Sequence, residues 1–138
     1  MKQPNYIEGG THVDARGKLC FNNNFIATEV KRLYTITNTD LSYKRGWTGH
    51  KIERRWFIAV SGLFEVKLIR IDNWDMPNPN LEQLIFEMSS DKLGVLEVPS
   101  GYVTSIQALK NDSKLLVMAD YMLGEIDDDY RFESTYFS

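Results

Sequence analysis

Cysteine and histidine are the scarcest chemistry-bearing residues in this chain of 138, with Cys20 the single cysteine and His12 and His50 the two histidines. One cysteine excludes an internal disulfide. The opening MKQPNYIEGG has no apolar run of signal-peptide length, so a reducing cytoplasm is the expected compartment. No stretch approaches the roughly eighteen apolar residues that would span a bilayer, and no membrane partner is expected. A charge excess of basic sign is also missing: sixteen Lys and Arg stand against nineteen acids, a formal net charge of -3. That balance excludes a nucleic-acid partner, because a phosphate backbone must be neutralised by a basic surplus. Repeats, low-complexity tracts and any long 3.6-residue periodicity are absent as well. What remains is a chain that is 43% hydrophobic, enough for one core, so a single domain over residues 1–138 is expected.

The pattern that is present has period two. In LFEVKLIRI (63–71), Phe64, Val66 and Leu68 fall on one face and Glu65 and Lys67 on the other, as in a half-buried strand. Comparable runs are KLCF (18–21), EVKRLYTIT (29–37), RWFIAV (55–60), EQLIFEM (82–88), LGVLEV (93–98), YVTSIQAL (102–109) and KLLVMADYM (114–122). Glycine, proline and asparagine clusters separate them. Many short strands with turn signals between them predict an all-β antiparallel sandwich or barrel. The one expected helical piece is an acidic turn within EIDDDYRF (125–132), with Asp127, Asp128 and Asp129 solvated. His12 is expected on or near the first strand, without a catalytic role.

With so few histidines, imidazole chemistry passes through His50, in the middle of RGWTGHKIERRWF (45–57). The order of landmarks around it resembles a known family: Asp14, Arg16, Gly17 and Leu19, then VKRLY (30–34), RGWTGHK (45–51), the turn glycine Gly62, VPSGYV (98–103) and DDDYRF (127–132). Together, over about residues 9–132, these are similar to the WxcM-like sugar-nucleotide cupins, which include dTDP-4-dehydro-6-deoxyglucose 3,4-ketoisomerases, with dTDP-4-dehydrorhamnose 3,5-epimerase a more distant cousin. The resemblance implies a cupin-type jelly-roll β-barrel with its ligand in the mouth. It also implies a homodimer, since members commonly pair through an edge sheet.

Departures from the family pattern shape the functional expectation. Where the ketoisomerases carry RGxHAHK, this chain keeps only the second histidine, His50, and has Thr48 at the first. Where they carry a small amide, Arg54, Arg55 and Trp56 stand here. The metal-dependent cupin positions hold Thr48, His50, Arg55 and Thr104; one ligand is too few for a divalent ion, Glu53 as an added oxygen ligand would make only a weak site, and no metal or other cofactor is expected. Removing a proton beside the carbonyl of a 4-keto sugar needs a base and a charge stabiliser. The resemblance assigns His50 as base, Tyr34 as sugar ligand or proton donor, and Arg45 or Lys51 as stabiliser. Trp47 is a packing residue that can also stack on a sugar or base, and Thr48 lies beside it in the pocket strand. Arg16, Arg54 and Arg55 suit a diphosphate through forked hydrogen bonds. Tyr102, Gln107 and Tyr121 are further pocket candidates on late strands. The expected function is metal-independent isomerisation or epimerisation of a dTDP-linked or similar 4-keto-6-deoxy sugar, in making a deoxysugar for a surface polysaccharide. The alternative is a cupin that binds a nucleotide sugar or glycan without turning it over.

Overall fold

The computed structural model describes residues 2–138. Its strands are β1 (Asn5–Ile7), β2 (Gly10–Asp14), β3 (Gly17–Phe21), β4 (Arg32–Ile36), β5 (Lys44–His50), β6 (Arg55–Ser61), β7 (Leu63–Arg70), β8 (Leu84–Ser89), β9 (Val95–Val98), β10 (Tyr102–Ala108), β11 (Lys114–Ala119) and β12 (Tyr130–Arg131). A single 3-10 turn at Ser90–Lys92 is the only helical element among the described residues, so none is long and apolar enough to cross a membrane. Two five-stranded sheets, β1-β9-β6-β11-β4 and β12-β5-β10-β7-β8, face one another, and β2-β3 forms a separate hairpin. Every pairing is antiparallel. This is the all-β antiparallel architecture that the strand pattern predicts, in the jelly-roll form that the resemblance implies.

Burial follows the two-residue period. On β7, Phe64, Val66 and Leu68 are fully enclosed between the sheets, while Glu65 and Lys67 lie on the wetter face and approach within 3.8 Å. Each such buried side chain contributes about 1.5–3 kcal/mol. Phe57, Leu96, Leu115 and Val117 meet them from the opposite sheet. The outer face of the β5-containing sheet is apolar too, and there Trp47, Ile69 and Val103 are covered by Phe137. That second layer leaves β10 buried along nearly its whole length and fixes the strand that carries Tyr102.

Two expectations change. EIDDDYRF makes no helical turn; it bends at Glu125 and Ile126 and then enters β12. Its middle acid, expected in solvent, is only 3% exposed, because Asp128 is claimed by backbone donors described below. The strand β5 was not visible as an apolar run, since KRGWTGH replaces side-chain alternation with glycines. Those glycines have a steric reason: a Cβ on Gly49 would lie 2.5 Å from Tyr102 O. Only glycine lets β5 approach β10 this closely.

Candidate functional site

The segment RGWTGHKIERRWF links the two sheets. His50 ends β5 in one, Arg55 starts β6 in the other, and residues 51–54 cross between them. A tight crossing leaves several backbone N–H groups without sheet partners, and such groups are costly to bury unpaired. Asp128 supplies the acceptors: its Oδ1 takes the N–H of Lys51 at 3.0 Å, and its Oδ2 takes those of Ile52 and Glu53, each at 2.8 Å. Asp120 takes the N–H of Arg54 at 2.8 Å. The C-terminal segment thus clamps the crossing in place.

Between the sheets opens a cavity of about 740 Å³, within the range of small-molecule sites. One wall, on β5 and β10, presents Thr48, His50, Tyr102 and Thr104. The facing wall, on β4 and β6, presents Arg32, Tyr34, Arg55 and Phe57. Opposite Thr104 and Ser105 the β5 register skips Trp47. Such a bulge re-aims the neighbouring side chains, and Arg45, just before it, also lines the cavity.

His50 is held in one tautomer. Its Nδ1 lies 2.9 Å from the backbone carbonyl of Asp128, an acceptor only, so Nδ1 carries the proton and donates it. Nε2 is left with its lone pair and has no hydrogen bond among the described residues. Burial, reinforced by the nearby Arg55 cation, holds the His50 pKa below 6.5, while the Asp128 carbonyl and the carboxylates of Glu53 and Asp129 pull the other way. The imidazole is therefore neutral near pH 7, ready to accept a proton. Glu53 Oε2 sits 3.3 Å from Nδ1; with a neutral ring this contact is a polar approach that becomes an ion pair once Nε2 is protonated.

Glu53 also faces Arg55, at 3.3 Å from Oε1 to Nη1 and 3.4 Å from Oε2 to Nη2. Both side chains are about nine-tenths buried. The Nη1 contact has the distance of an ion pair but not the direction of a hydrogen bond, so Nη1 keeps an unmade bond in a buried position. A cavity-lining cation with a free donor is a natural place for an electronegative ligand atom.

The cavity brings together His50, Tyr34, Arg45, Thr48, Arg55 and Tyr102. Trp47 borders it, but its indole meets Phe137 edge-on at 5.3 Å and serves packing. Five sequence candidates lie outside the lining. Arg16 is at the tip of the β2-β3 hairpin, hydrogen-bonded to Asp14 at 2.7 Å. Lys51 is exposed on the crossing, and Tyr121 lies under the ammonium of Lys31. Gln107 turns away, because it follows the inward Ile106 on β10, and donates to the Leu41 carbonyl at 2.8 Å. Arg54 is committed to Asp120 at 3.0 Å and Glu29 at 2.6 Å. Arg32, which sequence reasoning missed, stacks on Tyr34 with its guanidinium 4.9 Å from the ring centre. Its signal was available: residues two apart on one strand share a face. Asp128 had no such signal, since its partners are more than seventy residues away.

His50, Glu53 and Asp128 place potential ligand atoms within 4.8 Å of one another, yet the donor set does not suit a divalent ion. Both Asp128 oxygens already accept backbone N–H groups, Nδ1 of His50 points a proton at a carbonyl, and Glu53 faces a buried guanidinium. A cation there would meet the Arg55 guanidinium, and only Nε2 of His50 and Oε1 of Glu53 make no hydrogen bond, fewer donors than a divalent ion takes.

Comparison with solved structures agrees with the fold. QdtA, a 3,4-ketoisomerase from Thermoanaerobacterium thermosaccharolyticum solved with TDP-4-keto-6-deoxyglucose, superposes with a TM-score of 0.74 at 23% identity, covering 99% of this chain and 92% of that one. A 3,4-ketoisomerase from Helicobacter canadensis gives 0.73 at 21% identity, with 99% and 96% covered. ChmJ, a 3'-monoepimerase from Streptomyces bikiniensis in complex with dTDP-quinovose, gives 0.71 at 15% identity, with 95% and 70% covered. No curated protein matches the chain. The family described as FdtA, WxcM-like, C-terminal matches residues 3–137, almost the entire chain, and the chain belongs to that family.

Proposed function

We propose that this protein isomerises or epimerises a nucleotide-linked 4-keto-6-deoxy sugar, dTDP being the expected nucleotide, by moving a proton beside the carbonyl without a metal. The observation that carries the reading is the state of His50: a buried neutral imidazole whose Nδ1 is tied to Asp128 and whose Nε2 is free, on the wall of a cavity about 740 Å³ in volume. Such a ring takes a proton from carbon, and the enolate oxygen that forms finds a cation in Arg55 or Arg45 on the same lining. Arg32 and Arg45 form no ion pair with an acid among the described residues, which suits them to a diphosphate. Phe57, Val98 and Ile106 give the lining an apolar portion that accommodates a deoxy methyl group. The setting we infer is deoxysugar synthesis for a surface polysaccharide, with the protein acting as a homodimer in the cytoplasm.

Solvent exchange tests the reading. Incubated in deuterium oxide with dTDP-4-keto-6-deoxy sugars, the protein is expected to put label on the carbon beside the carbonyl. Tight binding with no label entering would instead establish a second reading, a cupin that holds a nucleotide sugar without turnover. Thr48 favours that alternative, since a threonine hydroxyl is too weak an acid and too weak a base to stand in for a histidine near neutral pH.

A further inference from the structure

The walls of the cavity decide more than whether a proton moves; they bear on which side of the sugar it returns to. His50 and Tyr102 are direct partners in the antiparallel register of β5 and β10, and both line the cavity. Facing residues of such a pair point to the same side of the sheet, with Cβ atoms about 4.5–5.5 Å apart. Tyr34 and Arg55 belong to the opposite sheet. The base and one phenol therefore address one face of a bound sugar, and the second phenol addresses the other.

Resting on the isomerase or epimerase reading above, we propose that Tyr102 is the proton donor that works with His50 on a single face, making the reaction a ketoisomerisation and not an epimerisation. The other polar side chains that line the cavity from β5 and β10 are the Arg45 guanidinium, which holds its protons too firmly to give one up, and the hydroxyls of Thr48 and Thr104, too weakly acidic for the task. Thr104 is in addition directed at the Thr48 carbonyl at 3.4 Å. The Tyr102 hydroxyl has no hydrogen bond among the described residues, although the residue is only 3% exposed. Burial raises its pKa above 10.0 against the opposing influence of Arg70, so the phenol keeps its proton at neutral pH.

The steps balance. Nε2 of His50 takes the hydrogen from the hydroxyl-bearing carbon, the electron pair of that C–H bond forms the C=C bond, and the carbonyl oxygen becomes an enolate. The hydroxyl proton passes to that oxygen, leaving its own oxygen negative. The former carbonyl carbon then takes the Tyr102 proton on the same face, and the second oxygen becomes the new carbonyl. Imidazolium finally returns its proton to the phenolate, restoring both groups.

Tyr102→Phe tests this, because it keeps the ring and its packing while removing only the hydroxyl that carries the proton. Two rates are followed with a dTDP-4-keto-6-deoxy sugar in deuterium oxide: label entering recovered substrate, and conversion to the 3-keto isomer. The expected result is a fall in conversion of about 10²-fold, larger than the fall in substrate labelling, with the affinity for dTDP within about threefold of wild type. Conversion at the wild-type rate in Tyr102→Phe, or a product inverted beside an unmoved carbonyl, overturns the proposal while leaving the broader functional reading intact. A wild-type protein that labels no 4-keto sugar overturns both. Tyr34→Phe serves as the opposite-wall comparison: a loss of conversion confined to Tyr34→Phe would assign the donor to the other face and also overturn the proposal.

Discussion

The two walls of the cavity are built from the same kind of strand yet carry different chemistry. On the β5-β10 wall the inward positions beyond the bulge hold groups that are neutral at rest, Thr48, His50, Tyr102 and Thr104, with Arg45 before the bulge the one cation; on the β4-β6 wall they hold Arg32, Tyr34 and Arg55. The difference lies in what stands behind each wall. Behind β5 and β10 is the apolar layer of Trp47, Ile69, Val103 and Phe137, which lends rigidity and a low dielectric. An imidazole set there is driven neutral. The other wall places its buried cation at the start of β6, beside the crossing that brings Glu53 within ion-pair reach. The histidine base thus belongs to one sheet and the buried guanidinium of Arg55 to the other, with Arg45 the cation of the base's own sheet, and a ligand between the walls meets both.

The sharpest way to break that comparison is to remove the base. His50→Asn keeps a hydrogen-bonding side chain near the Asp128 carbonyl but cannot take a proton near neutral pH. Turnover should fall by about 10²- to 10⁴-fold with little change in ligand affinity. The wild type should show an acid limb in kcat/KM below pH 6.5, because the folded pKa of His50 is depressed. The sign for stability follows from the same depression. The fold binds fewer protons than the unfolded chain just below pH 6.5, so His50's contribution is present above that value and is lost as pH falls through its lower folded pKa. His50→Asn should remove this part of the pH dependence in urea titrations. An unchanged rate in the variant would move the base elsewhere, with Tyr34 next to examine.

On the facing wall the largest effect should be on stability. Arg55→Gln leaves Glu53 buried beside a neutral amide, and breaking a buried ion pair from one side costs about 3–5 kcal/mol. The double change Glu53→Gln with Arg55→Gln removes both charges and should regain most of that loss. Chemical denaturation of the three proteins measures it. If the single variant is as stable as wild type, Glu53 takes up a proton or reaches solvent, and the charged character of this wall is weaker than its geometry indicates.

Legibility in the sequence followed the range of the interactions. Period-two alternation disclosed β7, β9, β10 and β11, because strand faces are set by adjacent residues. Spacing around RGWTGHK disclosed His50, since a motif is local. The clamp was not legible: Asp128 reads as one of three solvated aspartates until the fold brings it to Lys51, Ile52 and Glu53. Strand β5 was hidden for a related reason, its glycines reporting the closeness of β10 and no alternation of their own. Gln107 and Tyr102 were equal candidates by composition, and only register separates them, one residue out of phase being the other face of the sheet.

Asp128 offers a smaller test that touches both walls, since the crossing it clamps joins them. In Asp128→Asn an amide N–H₂ replaces one acceptor oxygen, so at least one of the three backbone donors loses its partner, at a cost of about 1–3 kcal/mol. The His50 bond to the backbone carbonyl survives in composition but shifts with the loosened crossing. Turnover should fall less than in His50→Asn, and hydrogen exchange at the amides of residues 51–53 should quicken. Unaltered exchange there would mean that packing, and not the carboxylate, holds the crossing.

The smallest effect is expected at Arg16, and it bears on whether the cavity is complete within one chain. The guanidinium is 87% exposed at the tip of the β2-β3 hairpin and paired with Asp14, whose pKa is lowered by that hydrogen bond. Exposed pairs of this kind add little to stability because water screens them. Within one chain Arg16 is outside the cavity lining, so Arg16→Ala should leave both the thermal midpoint and the affinity for dTDP unchanged, as read by calorimetry. The hairpin itself is a two-stranded ribbon with Val13 and Leu19 exposed at 68% and 61%, and an isolated ribbon has little stability of its own. A tenfold loss of dTDP affinity in Arg16→Ala would therefore be informative in the other direction: it would place the hairpin of one copy over the cavity of another. The division of labour between two walls would then become a division among three surfaces, one of them supplied by a second chain.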